Sequence, residues 1–499
     1  MKIAIATRSP DPITCRWLLR VVMAALACAL SACALIHHDE KPYAVISPEQ
    51  IRIADDMRFE QGDWPAKQWW RAYGDPQLDS LIARALATSP TIVIAHTRVA
   101  QAQSDVDLVR AGTNLQVTAL AAVDRERVSS NGFLGAYSTN DPAIGATGPW
   151  YSEGIVGLGA SINIDLWGKQ RAQVEAAIGV HNARLAEVAA IELEMSADVA
   201  QIYYGIQTTY QLIDLLVQLQ DVAAFDVNAH ATRAARGLEP VTQTELARAQ
   251  LLATRRQLVA ARASVTQLRE SLRALLGTGP GDLADIKPVA LPVTQAVLPP
   301  TLSYELLARR PDLQALRWYI QSSFNRIDAA KAAFYPSFDI KAFFGVNALH
   351  LAELFTHASQ QINLIPGLYL PIFDGGRLNA NLSGARTASN TLIAQYNEAV
   401  LNAVRDVAVT GSRLQELDEE AALQAQKIDA VSFEQASAQA RYARGVGSRL
   451  TAMDARQTVL LERISILEVD GKRLSQAIAL SKALGGGYRE TSPVELGVR

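Results

Sequence analysis

Apolar positions along this chain follow two different periods. Val188, Ile191, Met195, Val199, Ile202, Ile206, Tyr210, Ile213 and Val217 recur every three or four residues, the signature of one apolar stripe on a helix. Prolines are absent between Pro149 and Pro240 and between Pro371 and Pro493, so nothing in those intervals removes a helical hydrogen bond. The interval from Gly168 to Gly237 equals that from Gly376 to Gly445. A helix filling such an interval would be roughly 100 Å long at about 1.5 Å per residue. It must leave the globular body, turn at the glycine and return, over about 241–276 in one case and 450–484 in the other. The alternative is a set of shorter core helices broken at Gly205 and Gly411.

The second period is two. Leu158, Ala160, Ile162 and Ile164 alternate with Gly159, Ser161, Asn163 and Asp165, and Phe338, Ile340, Ala342, Phe344 and Val346 with Ser337, Asp339, Lys341, Phe343 and Gly345. Val117, Ala119, Ala121 and Val123 give a weaker strand, and 362–372 a fourth, interrupted by Pro366. Runs of about 9–11 residues suit tilted strands that cross an outer membrane. Asp339 and Lys341 on the polar face suit a water-filled lumen, whereas a soluble hairpin packed on helices would not require them.

These elements occur twice. Pro90 and Pro311 are offset along the chain by the same amount as Arg110 and Lys331. A slightly smaller offset, again constant, relates Gly168 to Gly376, Arg236 to Arg444, and Arg248 to Arg456. The difference is extra length in the first copy, where 129–149 reads as a surface loop rich in Gly, Ser, Asn and Pro. The chain therefore divides into 1–32, an equatorial and tether segment 33–84, a first repeat 85–277 (hairpin about 115–165, helices 168–277), a Pro-rich connector 278–303, a second repeat 304–485 (hairpin about 337–373, helices 376–485) and a tail 486–499. One joint differs: Phe334-Tyr335-Pro336 in the second copy corresponds to Thr113-Asn114-Leu115 in the first. Four strands cannot close a membrane barrel, whose smallest form has about eight, and an open edge cannot face lipid. If the strands cross a membrane, the chain must oligomerise.

Composition narrows the rest. The chain has 499 residues, 49% hydrophobic and 19% charged, with net charge −3, which argues against a nucleic-acid binder and against disorder. Its three cysteines, Cys15, Cys28 and Cys33, cluster at the amino terminus, and none follows Cys33. That excludes a disulfide scaffold, a cysteine nucleophile or a cysteine-ligated metal in the body. Lys2, Arg8, Arg16 and Arg20 precede a short apolar run, 21–30, and then Leu30-Ser31-Ala32-Cys33. This is a secretory signal that resembles a bacterial lipobox, implying cleavage before Cys33, lipidation of its thiol and loss of the other two cysteines. Ala34 at the next position resembles an outer-membrane address rather than an inner-membrane one. No other apolar run is long enough to span a bilayer, so no transmembrane helix is expected.

The order, spacing and duplication of several motifs carry a family resemblance. They are Trp69-Trp70-Arg71-Ala72-Tyr73-Gly74-Asp75-Pro76-Gln77-Leu78, Asp165-Leu166-Trp167-Gly168-Lys169, Arg309-Arg310-Pro311-Asp312, Pro371-Ile372-Phe373-Asp374-Gly375-Gly376-Arg377 and Leu484-Gly485-Gly486-Gly487. With these the chain resembles the TolC-like outer-membrane efflux channels, in the OprM and NodT lipoprotein branch. The resemblance implies an α+β membrane protein, a homotrimer whose twelve strands form one outer-membrane β-barrel continued by a long periplasmic α-helical barrel with a mixed equatorial girdle. It implies a passive conduit for small molecules in a tripartite efflux pump, whose partners are a periplasmic membrane-fusion adaptor, an inner-membrane pump of the resistance-nodulation-division or another class, and outer-membrane lipids. It places the periplasmic gate on Arg441, Tyr442 and Asp454, and the adaptor contact on the tip residues Arg236, Gly237, Arg444 and Gly445. The residue chemistry allows this: a ring of three Asp454 carboxylates would constrict a pore and select by charge, and Arg441 with Tyr442 could clamp neighbouring tips. As plain solvated helix charges, Arg441 and Asp454 would contribute little.

Three other readings are open. An enzyme would need a reaction motif, and the seven histidines form no HExxH, with no GxxxxGK[ST] loop or GxSxG elbow present; no metal or cofactor is expected beyond the lipid on Cys33. A non-conducting periplasmic coiled-coil scaffold would need the helices but not the strands. An exit duct for protein secretion would share the channel, though the lipid anchor and paired motifs lean toward efflux.

Overall fold

The computed structural model describes residues 42–46, 60–61, 63–141, 143, 146–279, 281–283, 285–293, 297–298 and 309–489. Cys33, the signal segment and most of the tail 486–499 lie outside them, as do parts of the connector. Short helices α1 (Pro76–Thr88) and α2 (Pro90–Ala111) lead to strands β1 (Gln116–Arg127) and β2 (Trp150–Ile164), then to α3 (Lys169–Ala235) and α4 (Val241–Leu276). The second copy runs α5 (Pro311–Ala332), β3 (Ser337–Ala348), β4 (Gln360–Tyr369), α6 (Arg377–Ala443) and α7 (Arg449–Ala483). Each of α3 and α6 is an unbroken helix of 67 residues. Gly205 and Gly411 lie inside them: an internal glycine costs a helix about 1 kcal/mol, which tertiary packing outweighs. Among the described residues no single helix is long and apolar enough to cross a membrane.

The fold divides into two compact units. One comprises residues 101–181 and 319–393 with the described part of 1–43; the other comprises the described parts of 44–100, 182–318 and 394–499. The first is built on a four-stranded antiparallel sheet in the order β1-β2-β3-β4. Each copy contributes one hairpin, and β2 pairs β3 to join them. The register aligns Ala119, Leu158, Phe344 and Ile362 across the sheet, and Val117, Ala160, Ala342 and Leu364 beside them. One face is thus a continuous apolar band. The other face aligns Ser161 with Lys341 and Asn163 with Asp339, and Lys341 Nζ lies 3.5 Å from Asp339 Oδ2.

Two strand boundaries differ from the sequence pattern. β2 starts at Trp150, well before the alternation becomes visible, because Arg127 to Asp124 of β1 supply partners out to that point. β4 runs through Pro366, opposite Ile340; β4 ends the sheet within the chain, where a residue without an N–H is tolerated. The 129–149 stretch holds a 3-10 turn, Gly135–Ser138, and a two-residue bridge between Asn140–Asp141 and Ala146–Thr147. The Tyr151 hydroxyl ties it back by donating to Tyr137 O at 2.7 Å.

The second unit centres on the buried faces of α1, α3, α4 and α7. Leu78, Ile82, Tyr203, Ile206, Leu272, Leu276 and Ile478 form its main core. Each such fully buried side chain contributes about 1.5–3 kcal/mol. Further along, α3 is covered on two sides, with Leu216, Leu219 and Val222 packed against Leu258 and Ala261 of α4 and Leu460 of α7. By contrast, Leu401, Val409, Leu423 and Phe433 of α6, and Leu246, Leu252 and Val259 of α4, are exposed in the isolated chain.

Candidate channel and gate

The Trp69–Leu78 motif packs into the main core of the second unit. Trp69 and Trp70 are buried in a 3-10 turn that Gly74 closes at φ +65°, its N–H donating to Arg71 O. Asp75 then caps α1, accepting the N–H groups of Gln77 and Leu78, with Pro76 at the first helical position. Its other oxygen accepts the Tyr203 hydroxyl at 2.6 Å. Side-chain amides attach the connector: Gln77 exchanges two hydrogen bonds with the Lys287 backbone, and Gln207 bridges Lys287 O and Val289 N. Gln211 adds a third, donating to Val289 O at 3.2 Å. These glutamines stand in for a neighbouring strand, and nothing in the sequence pattern singles them out.

In the first unit, both long helices begin under an aspartate: Asp165 Oδ2 accepts the Arg171 N–H and Asp374 Oδ2 the Leu378 N–H. Trp167 stacks on Tyr335 at 5.0 Å and donates through Nε1 to Pro336 O. Leu166, Ile372 and Phe373 are exposed nearby in sequence. Aromatic and apolar side chains at strand ends, below an apolar band, are the pattern of a membrane-interface girdle.

The helical hairpins end in matched turns. Gly237 adopts φ +70° and Gly445 φ +75°. In each, the next residue closes the helix with a long-reach backbone bond, Leu238 N to Arg233 O and Val446 N to Arg441 O, both at 3.0 Å. A left-handed glycine is what this helix ending requires. Arg236, Gly237, Arg444 and Gly445 are all exposed.

The side chains at the two tips are not matched. In the first hairpin Glu239 closes a clasp, 2.7 Å from His230 Nδ1 and 2.9 Å from Arg233 Nε. Desolvation works against the ionised carboxyl, but hydrogen bonds from His230 and Arg233 outweigh it and hold Glu239 below the usual carboxylate range. In the second hairpin the positions corresponding to His230, Glu239 and Arg233 are Ala438, Gly447 and Arg441. Arg441 therefore has no acid in its own turn, and among the described residues it has no ion-pair partner. Tyr442 is 39% exposed beside it. Asp454 lies one turn into α7, whose start Ser448 caps by accepting the Thr451 N–H at 3.0 Å. Asp454 is exposed in the single chain, yet partial desolvation by the surrounding helices raises its carboxyl above its ordinary value, with His230 opposing. The expected gate residues thus share one hairpin, but within one chain no ion pair joins Arg441 to Asp454 among the described residues. Asp226, His230, Arg233 and Glu239 do not stand out in the sequence; the visible signal is the spacing of Asp226 and His230, one helical turn apart just before the tip. Among the described residues no His, Cys, Asp or Glu cluster is arranged to hold a metal ion.

The chain matches the family model for outer membrane efflux protein over residues 81–278 and 302–486, one match per copy. The chain belongs to the outer membrane efflux protein family. It is 53% identical over 466 residues to the multidrug resistance outer membrane protein MdtP of Escherichia coli strain K12, covering 93% of this chain and 96% of that one. It is 40% identical over 470 residues to MdtQ of Escherichia coli O157:H7, covering 92% and 96%. Among solved structures, the Vibrio cholerae outer membrane protein VceC matches at TM-score 0.75 and 28% identity, over 85% of this chain and all of that one. The Campylobacter jejuni CmeC outer membrane channel matches in fold at TM-score 0.78 and 18% identity, covering 91% and 95%. The protein is thus an outer-membrane efflux channel. Each chain is one subunit of a homotrimer that works with a periplasmic adaptor and an inner-membrane pump, and the exposed apolar positions on α4 and α6 are faces that a neighbouring subunit can cover.

Proposed function

We propose that the channel carries small organic toxicants, drugs among them, outward through a passive conduit whose periplasmic end is gated by Arg441, Tyr442 and Asp454. The relatives named for multidrug resistance support the cargo class. The observation that carries the gate is the difference between tips: Arg233 is clamped by Glu239, whereas its counterpart Arg441 has no acid in its turn and is free to reach another chain. Three Asp454 side chains around the axis constrict the path and attract cations, and Arg441 and Tyr442 hold adjoining tips together. The exposed tip residues Arg236, Gly237, Arg444 and Gly445 meet the adaptor. Cys33, outside the described residues, carries the lipid once 1–32 is removed; the channel uses no other cofactor and performs no chemical step on its cargo. Segments 33–84, 278–303 and 486–499 belong to the equatorial girdle and its tether and tail, and 85–277 and 304–485 are the two repeats.

Single-channel recording in a planar bilayer tests the gate. Asp454→Ala, which shortens the side chain at the constriction, raises the unitary conductance; an unchanged current overturns the assignment. A non-conducting scaffold gives no current with either protein.

A further inference from the structure

The apolar face of the four-stranded sheet stops short of the strand ends that lie away from the long helices. On β2 that face is Ile164, Ile162, Ala160, Leu158, Val156 and Gly154. From Ile164 to Gly154 it runs about 33 Å along the strand, or about 25 Å along the membrane normal at a tilt of about 40°. That is the height of an outer-membrane apolar band. Leu351 and Leu354, in the turn after β3, close over Gly154, where a Cβ would lie 2.8 Å from Leu351 Cδ2 and 3.1 Å from Leu354 Cδ2. The band is complete at that level. Because the helices are periplasmic, positions beyond Gly154 on this face sit among the headgroups of the outer leaflet.

There β1 presents two arginines. Val117, Ala119, Ala121 and Val123 lie on the apolar face, and the next two residues of that row are Arg125 and Arg127, opposite Ser152 and Trp150. Every residue of β1 is exposed. Arg125 lies over the Trp150 ring at 5.5 Å, and Trp150 is itself 52% exposed. The ring holds the guanidinium by cation–π attraction and leaves its in-plane N–H groups for another acceptor. No carboxylate answers these charges. Asp124, Glu126 and Glu153 alternate onto the other face, where Glu153 accepts from Asn347 Nδ2 at 2.9 Å. β4, the opposite edge of the sheet, carries Gln360, Ile362, Leu364, Pro366 and Leu368 on the apolar face, so that row of a second copy offers no acid. Among the described residues neither arginine has an ion-pair partner.

We propose that Arg125, Arg127 and Trp150 form a lipid-headgroup site that holds a phosphate of the phosphorylated glycolipids in the outer leaflet. Each guanidinium offers parallel N–H groups that match two phosphate oxygens. Trp150 sits where headgroup meets hydrocarbon, the depth at which tryptophan is favoured. The acyl chains lie along Val123, Val156 and Leu158 below. With one site on each chain, the trimer is held at a fixed height in the membrane by charge at its outer rim.

Native mass spectrometry of the full-length trimer in detergent tests this, with diphosphoryl lipid A as the probe and lipid A stripped of its phosphates as the comparison. The wild type binds the diphosphoryl form at least about tenfold more tightly, the factor a charge-assisted hydrogen bond supplies. The double variant Arg125→Gln, Arg127→Gln binds both forms alike. Equal wild-type affinity for the two forms overturns the proposal, and this comparison needs no substitution, so it stands should the variant fail to assemble. A phosphate preference retained in the double variant overturns it as well; if that trimer also dissociates at lower temperature in lipid-free detergent, the arginines serve a neighbouring subunit instead. Displacement of the lipid by equimolar inorganic phosphate overturns it in favour of a site for the free ion.

Discussion

Trp167 of the first copy stacks on Tyr335 of the second at 5.0 Å and donates through Nε1 to the carbonyl of Pro336. The first copy has Thr113-Asn114-Leu115 where the second has Phe334-Tyr335-Pro336, and the second has Gly375 where the first has Trp167. Each copy therefore keeps the half of this joint that the other lacks, and the pair fixes the end of β2 beside the start of β3.

Replacing Trp167 removes both the stack and the hydrogen bond. Trp167→Ala costs about 1–2.5 kcal/mol from the lost ring contact and the lost bond together. The expected outcome is a trimer that dissociates at lower temperature on unheated-versus-heated electrophoresis, with the helical content in circular dichroism unchanged.

The contact between α1 and α3 depends on one buried hydroxyl. Tyr203 is fully buried and donates to Asp75 while accepting from Gln77. Tyr203→Phe keeps the ring and leaves Asp75 Oδ2 short of a donor, at a cost of about 1–3 kcal/mol. Thermal unfolding of the detergent-solubilised protein should shift down by a few degrees, and Asp75→Asn, which also weakens the cap of α1, should shift it at least as far.

The triglycine near the chain end has no room for a side chain. A Cβ on Gly487 would collide with the Ala66 backbone and one on Gly485 with Arg309 O, and both residues hold positive φ. Gly487→Ala is strained in its backbone by about 1–2 kcal/mol before the collision is counted. A marked fall in outer-membrane yield is expected, whereas Gly384→Ala, at an open position inside α6, leaves yield at wild type.

The first tip should loosen in acid. The folded-state Glu239 carboxyl is depressed, so its contribution is present above its unfolded value of about 4.3 and is lost as pH falls through the depressed one. Hydrogen exchange of amides 233–241, corrected for intrinsic rate, should show steady protection from pH 8 to 5 and a loss below that. Glu239→Gln should show the reduced protection already between pH 8 and 5 and match wild type in acid, while the Arg441–Val446 turn of the second tip is unaffected.

Much of the architecture was legible because its causes are local. Periods of 3.6 and two separate the helices from the strands, the equal glycine intervals locate both turns, and the repeat assigns one hairpin to each copy. Four strands with open edges require partner chains if they cross a membrane. The expected gate residues came through resemblance rather than through pattern, and the clasp of Glu239 with His230 and Arg233 was not legible: a helical period says which face of α3 is buried, not which charges meet at its tip.

What the sequence by itself determined about this protein is therefore the inventory of elements, their duplication and, if the strands cross a membrane, their need for strands from further chains. Only the tertiary structure decided that α3 and α6 run unbroken through Gly205 and Gly411, that Trp167 finds Tyr335, that glutamines bind the connector, and that Glu239 clamps Arg233 while Arg441 is left without a counterpart. The physical reason is range. Periodicity reports interactions between near neighbours in the chain, whereas these outcomes depend on which surfaces far apart in sequence come to share one buried contact, and there packing outweighs local preference.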